Sequence, residues 1–186
     1  MGQSLYFSRK EHDHLCEALD LAERLTGRCY GIAAHEWKFY PYDIRTLKQL
    51  RREEVTDRGF AQLAKYSLAE DHRPREDRVS EFYRICVQDH VILQALHRRG
   101  DVTLRPLLLY VMTHELVHVV RFSRSMQDYS VRGLERQQEE KEVHDITYQL
   151  LKDVDYDRLE EVIKAYGWAR SRTPRTASSL SAARSN

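Results

Sequence analysis

The run Val111-Met112-Thr113-His114-Glu115-Leu116-Val117-His118-Val119-Val120 gathers the residue types most able to do chemistry in this sequence. His114 and His118 stand at i and i+4. On a helix those positions share a face, with Cβ atoms about 6 Å apart, so both imidazoles can reach one ion. Glu115 follows the first histidine and projects beside that ion without having to bind it. A general base for an attacking water belongs at this place. The remaining positions are apolar. A helix that is apolar all round except for His, Glu and His is a buried helix with a polar site in it. Buried ionisable groups are costly without a partner, and one zinc ion would supply it. The competing reading is plainer: two core histidines satisfied by carbonyls, with Glu115 in an ion pair.

A catalytic zinc takes three protein ligands and keeps a fourth position open. A third histidine of the HExxHxxGxxH kind is excluded, because Arg121 and Ser123-Arg124 occupy that region. The alternative is a carboxylate from another helix. The stretch Gln138-Glu139-Glu140-Lys141-Glu142-Val143-His144-Asp145-Ile146-Thr147-Tyr148-Gln149-Leu150-Leu151 is helical in pattern. Val143, Ile146 or Thr147, Leu150 and Leu151 define its inward face. Stepping back three and four residues reaches Glu139 and Glu140. Glu140 also stands four before His144, so both can point at one site. Glu140 is the expected third ligand, with His144 as a partner behind a ligand or as a substitute. Glu139 and Glu142 remain alternatives, each of which reads equally as part of a solvated helix face.

HExxH followed by a glutamate on a separate helix resembles the gluzincin type of zinc metallopeptidase. Within it, the run from Glu140 to Leu151 is similar to the ExxANxFAxxLL pattern of the ImmA/IrrE-like peptidases. Glu140 falls on the family's zinc-ligand Glu, and Leu150-Leu151 match. Val143 replaces Ala, His144 replaces Asn, Ile146 replaces Phe and Thr147 replaces Ala. The similarity covers Leu107 to Leu151. It implies a zincin-like domain and a zinc-dependent peptidase with Glu115 as general base. The substrate would be a protein or peptide, such as one regulatory protein. It also implies a His or Tyr that stabilises the developing oxyanion, for which Tyr129, His144 and Tyr148 are candidates. Two other readings stay open: a zinc-binding regulatory or interaction domain with weak turnover, and a metal-free helical structural protein.

The elements that position these residues read as follows. Ser8 and Glu11 form a capping box. Leu15, Ala18, Leu19, Ala22 and Leu25 recur at helical spacing, and Gly27 suggests the stop. Cys29 to Tyr42 is β-prone or irregular. Ile44–Glu53 and Asp57–Ala69 carry short helical patterns, and Asp71–Arg78 reads as a loop. Val79 to Val87 reads as a strand, expected at the sheet edge beside the site, since zinc peptidases hold extended peptides by strand addition. Asp89 to Arg99 is helical and closes at Gly100. Thr103 caps the motif helix, with Pro106 in its first turn, and that helix runs to Phe122. Ser123 to Arg132 is a polar loop, and Gly133 to Lys152 is the second ligand-bearing helix. Asp157 and Glu160 suggest a capping box for a last helix ending at Gly167. The expected fold is α+β, mostly helical, with a small sheet. One domain over residues 1–170 is followed by a disordered tail, 171–186, too polar to offset its ordering entropy.

Composition narrows the classes. Of 186 residues, 41% are hydrophobic and 32% charged, and the formal net charge is +1, so no global field draws the chain to nucleic acid or anionic lipid. The basic pairs Arg51-Arg52 and His97-Arg98-Arg99 are offset by Glu53, Glu54 and Asp101. No nucleic-acid partner is expected. No run approaches the ~18 apolar residues of a spanning helix, and the start MGQSLYFSRKEHDH has no signal-type apolar run. Cys16, Cys29 and Cys86 form no CxxC pair and read as small core residues. A cytoplasmic location is the expectation. Among the other histidines, His12 and His14 have the wrong spacing. His35-Glu36 lacks its second histidine, and His72, His90 and His97 have no partner pattern.

Overall fold

The first helix, α1, spans Arg9–Tyr30 in a computed structural model that describes residues 5–67 and 81–167. The loop expected at 71–78 and the tail at 171–186 lie outside the described residues. The capping box of α1 forms as its residues require. The Ser8 N–H donates to Glu11 Oε2 at 2.6 Å and the Glu11 N–H to Ser8 Oγ at 3.4 Å. Gly27 does not end the helix. Gly31 does, in the left-handed conformation at φ 66° that glycine adopts without steric cost. Gly27 serves packing instead: a Cβ there would lie 2.8 Å from the Ile32 carbonyl oxygen. Leu15, Ala18 and Ala22 are buried, and their stripe lies on the histidine-bearing helix. Cys86 is buried as expected, whereas Cys16 and Cys29 are exposed on α1.

Of the two segments expected to be helical, Ile44–Glu53 opens in a strand and continues in short 3-10 turns at Leu47–Gln49 and Arg52–Glu54, and Asp57–Ala69 holds a strand. A 3-10 turn over Ala34–Phe39 leads into β1, Tyr42–Thr46, and β2 spans Ala61–Ser67. Both pair with β3, Glu81–Val87. Tyr42 lies opposite Tyr83 in the parallel pair, and Ala61 opposite Val87 in the antiparallel one. The order is β1-β3-β2, so β3 is the central strand rather than the edge. Ala61, Gln62, Leu63, Ala64 and Lys65 are tolerable or good helix formers. Pairing along all of β2 outweighs that weak preference. Tyr83, Ile85 and Val87 face the core. On the opposite face, buried Arg84 donates from Nε to Asp43 Oδ1 at 2.9 Å and from Nη1 to Glu54 Oε1 at 3.1 Å. These bonds tie β1 and the turn at Arg52–Glu54 to the central strand.

Among the described residues four further helices follow: α2 (Asp89–Arg98), α3 (Leu104–Ser123), α4 (Leu134–Leu151) and the single turn α5 (Leu159–Val162). Thr103 stands at the N-cap of α3 without a capping side-chain bond, and Pro106 sits where no intrahelical N–H is required. The chain is buried from Pro106 to Phe122 except at His114, which is partly exposed. Helix α3 therefore runs through the centre, packed against α1, α4, α5 and β2. Gly133 enters α4 at φ 62°. The capping box expected from Asp157 and Glu160 does not form. Arg158 takes the cap position at φ 57°, α5 is one turn, and a π-helical turn continues over Ile163–Gly167. The described residues form an α+β fold, mostly helical, with a small three-stranded sheet. Among the described residues no helix is long and apolar enough to cross a membrane.

Candidate metal centre

Helices α3 and α4 pack side by side, and their contact gathers the candidate residues. One turn of α3 brings the rings of His114 and His118 to 4.9 Å, with planes crossing at 79°. Glu140 reaches across from α4. Its Oε2 lies 3.6 Å from His114 Nε2 and 3.6 Å from His118 Nε2. One ligand atom from each of these three residues lies within 4.8 Å of the others.

Several features fit these residues to a divalent cation such as zinc. Ligand atoms held about 2.1 Å from a tetrahedral ion lie about 3.4 Å apart, close to the 3.6 Å separations seen here. Both ring nitrogens of His118 are buried and face carboxylate oxygens at 3.5 and 3.6 Å, too far for good hydrogen bonds, a gap that an ion at Nε2 would fill. Charge points the same way. Arg121 pairs with the carboxylates of Glu139 and Glu142 and Arg136 with that of Glu140, and Glu115 adds a fourth carboxylate on the same cleft. With neutral histidines this leaves two negative charges, which a dication balances.

The residues polarise one another. Burial works to lower the His118 pKa, but the carboxylates of Glu139 and Glu140, with Glu115 nearby, push it up to about 9. Burial works to raise Glu140, and His114 and His118 instead hold it well below the ordinary carboxylate range. Glu139 is similarly disfavoured as a charge by burial, yet His118 and Arg121 bring it down to about 2. The two glutamates therefore stay ionised at neutral pH. A cation binds the neutral imidazole, so its arrival would displace any proton that His118 holds.

The candidates for third ligand separate cleanly in space. Glu140 joins the histidines. Its Oε1 accepts from Arg136 Nε at 3.1 Å, which turns Oε2 inward. Glu139 is 1% exposed and faces the far side of His118, with Oε1 3.5 Å from Nδ1. Arg121 clamps it through Nε to Oε1 at 2.9 Å and Nη2 to Oε2 at 2.8 Å. Glu142 is mostly exposed and also binds Arg121. His144 stays outside the ligand group. Its Nδ1 is 2.8 Å from the Tyr110 hydroxyl, and its ring lies 4.6 Å from that of His114.

A cleft of about 550 Å³ opens over this group. His114, Glu115, His118, Glu140 and His144 line one side. Phe60 to Leu63, at the start of the outer strand β2, line another, and Tyr110, Tyr166, Arg136, Glu53 and Arg58 are among the other lining residues. The edge strand beside the site is therefore β2, and not the segment 79–87 expected from its β-branched content. Of the three oxyanion candidates, His144 alone lines this cleft among the described residues. The Tyr129 hydroxyl is committed to the Leu63 carbonyl at 2.9 Å, and Tyr148 is 37% exposed.

Sequence reasoning missed Tyr110, Arg121 and Arg136. Two of them carried a signal. Arg121 is the one cation inside the apolar part of α3, and Arg136 stands four residues before Glu140, an ion-pair spacing on a helix. His35 lies in the turn Ala34–Phe39, whose Glu36 bonds the Ala33 N–H, and His90 pairs with Asp57 at 2.8 Å. Neither joins the centre, and His72 lies outside the described residues. No family model, curated protein or solved structure matches this chain.

Proposed function

We propose that this chain is a zinc-dependent metallopeptidase of zincin-like fold, in which α3 is the active helix and α4 the glutamate helix. The observation that carries the reading is the convergence of His114, His118 and Glu140 on one point, with Glu115 beside them on the cleft wall. His114, His118 and Glu140 would hold the ion. When bound, zinc supplies a Lewis acid and lowers the pKa of a water to about 7.

The chain's own residues do the rest. Glu115, 7% exposed, accepts the proton of the attacking water and passes it to the leaving amine. With the Tyr110 hydroxyl, 2.8 Å away, as donor to His144 Nδ1, the neutral imidazole carries its proton on Nε2. His144 thereby becomes an N–H donor to the substrate's carbonyl oxygen as negative charge develops there. The substrate is a protein or peptide, laid in extended form along the outer edge of β2, where main-chain bonds hold it irrespective of sequence. Arg136 holds Glu140 through one oxygen, so the other is presented as a single-point ligand.

The test is hydrolysis of a quenched-fluorescent peptide library by protein purified without a nickel column. Cleavage that stops with chelator and returns with added zinc supports the proposal. A chain that binds one zinc and cleaves nothing in the library is instead a zinc-bearing regulatory domain. Within the active chain, His144→Ala should leave zinc bound and lower kcat by about 10²–10³-fold, the cost of losing one oxyanion donor, with KM little changed. An unaltered kcat would remove His144 from the mechanism.

A further inference from the structure

On the far side of His118 from Glu140 lies a charge chain that takes no direct part in the chemistry described above. His118 and Arg121 are three residues apart on α3, and Glu139 and Glu142 are three apart on α4. The two pairs interlock. Arg121 donates to both oxygens of Glu139 and, through Nη1, to Glu142 Oε1 at 2.9 Å. Glu139 is 1% exposed and Arg121 7%. A fork-on-fork bond of this kind fixes the carboxylate in position and orientation.

We propose that Glu139, clamped by Arg121, is a positioning residue for His118. This rests on the reading of His114, His118 and Glu140 as a metal centre. Glu139 Oε1 faces His118 Nδ1 at 3.5 Å while Nε2 faces Glu140 Oε2 at 3.6 Å. A carboxylate on the Nδ1 side favours the tautomer that carries its proton there. It turns the Nε2 lone pair toward Glu140 and His114 and makes that nitrogen a stronger donor to a cation. Arg121 has a second effect. With both its oxygens engaged, Glu139 cannot swing round to compete with Glu140 as a ligand. Adjacent glutamates on one helix thus have separate duties, one toward the ion and one behind its histidine.

The test measures zinc affinity by competition with a chelator of known strength, at fixed pH, alongside the unfolding midpoint of the metal-free chain. Glu139→Gln keeps the shape and removes the charge. It should weaken zinc binding about 10–100-fold. Because the substitution also leaves Arg121 short of a partner, a loss of folding stability is expected with it. The double variant Arg121→Met/Glu139→Met separates the two effects. Replacing a buried ion pair with apolar side chains of similar size restores stability, so its metal-free midpoint should return toward that of the parent chain while zinc affinity stays low. Cobalt substituted for zinc should show an altered ligand-field spectrum in both variants. Parent-like zinc affinity in Glu139→Gln, or affinity that recovers with stability in the double variant, overturns the positioning role. If the parent chain itself binds no zinc, the metal centre falls and this inference falls with it, an outcome distinct from either of those.

Discussion

Replacing Glu115 with Gln should leave zinc occupancy at the level of the parent chain and lower peptide hydrolysis by about 10²–10⁴-fold, the usual contribution of a positioned general base. The variant is informative because Gln has the size of Glu and hydrogen-bonds in its place, yet its amide accepts no proton at neutral pH. Glu115 is 7% exposed on the buried helix and lines the cleft beside both histidines. It contributes no atom to the group formed by His114, His118 and Glu140, so its loss should spare the metal. Occupancy and turnover measured on one preparation separate the two roles. Hydrolysis that persists undiminished removes Glu115 as the base. Loss of zinc together with activity would make it a ligand.

The second large effect concerns stability. The three candidate ligands come from two helices, so an ion bound between them crosslinks α3 to α4. At a free zinc concentration about 1,000 times the Kd, binding stabilises the folded chain by about 4 kcal/mol. For a chain of this size each kcal/mol moves Tm by roughly 2–4 °C. Adding zinc to metal-free protein should therefore raise Tm by about 8–16 °C. Glu140→Ala should lose most of that rise, since two histidines on one helix turn no longer bridge to α4. Scanning calorimetry with and without zinc reads both. A Tm indifferent to zinc in the parent chain contradicts a metal held across the two helices. A full shift in Glu140→Ala moves the third ligand to another residue.

How far these features could be read from the sequence depended on whether the signal was local. The motif helix was legible because an all-apolar run with a cap before it and a polar stretch after it has only one comfortable conformation, and α3 runs Leu104–Ser123. Glu140 was reachable by helical spacing, but spacing alone could not separate it from Glu139. Adjacent residues point about 100° apart, and both directions can meet a neighbouring helix. The distinction lies in what faces them: Arg121 takes Glu139, and the histidines face Glu140. The strands β1 and β2 were hidden for a different reason. Ile44, Leu47 and Leu50 recur at a helical interval, and β2 is composed largely of residues that helices tolerate. Their strand form comes from pairing with β3, which is distant in sequence. The same holds for Gly27, whose use is a close approach to Ile32 rather than a helix stop. Tyr110 stands four residues before His114, one turn along the same helix, yet nothing nearby in sequence marks it as the partner of His144.

The central claim is that His114, His118 and Glu140 hold one zinc ion. Elemental analysis of protein purified without a nickel column, joined to X-ray absorption at the zinc edge, addresses it most directly. The expected result is one zinc per chain, with two imidazole nitrogens about 2.0–2.1 Å from the ion and carboxylate oxygen completing the protein ligands. His118→Ala should abolish that zinc. A parent chain that carries no zinc and takes none up, or a His118→Ala chain that retains it with unchanged ligands, would contradict the account.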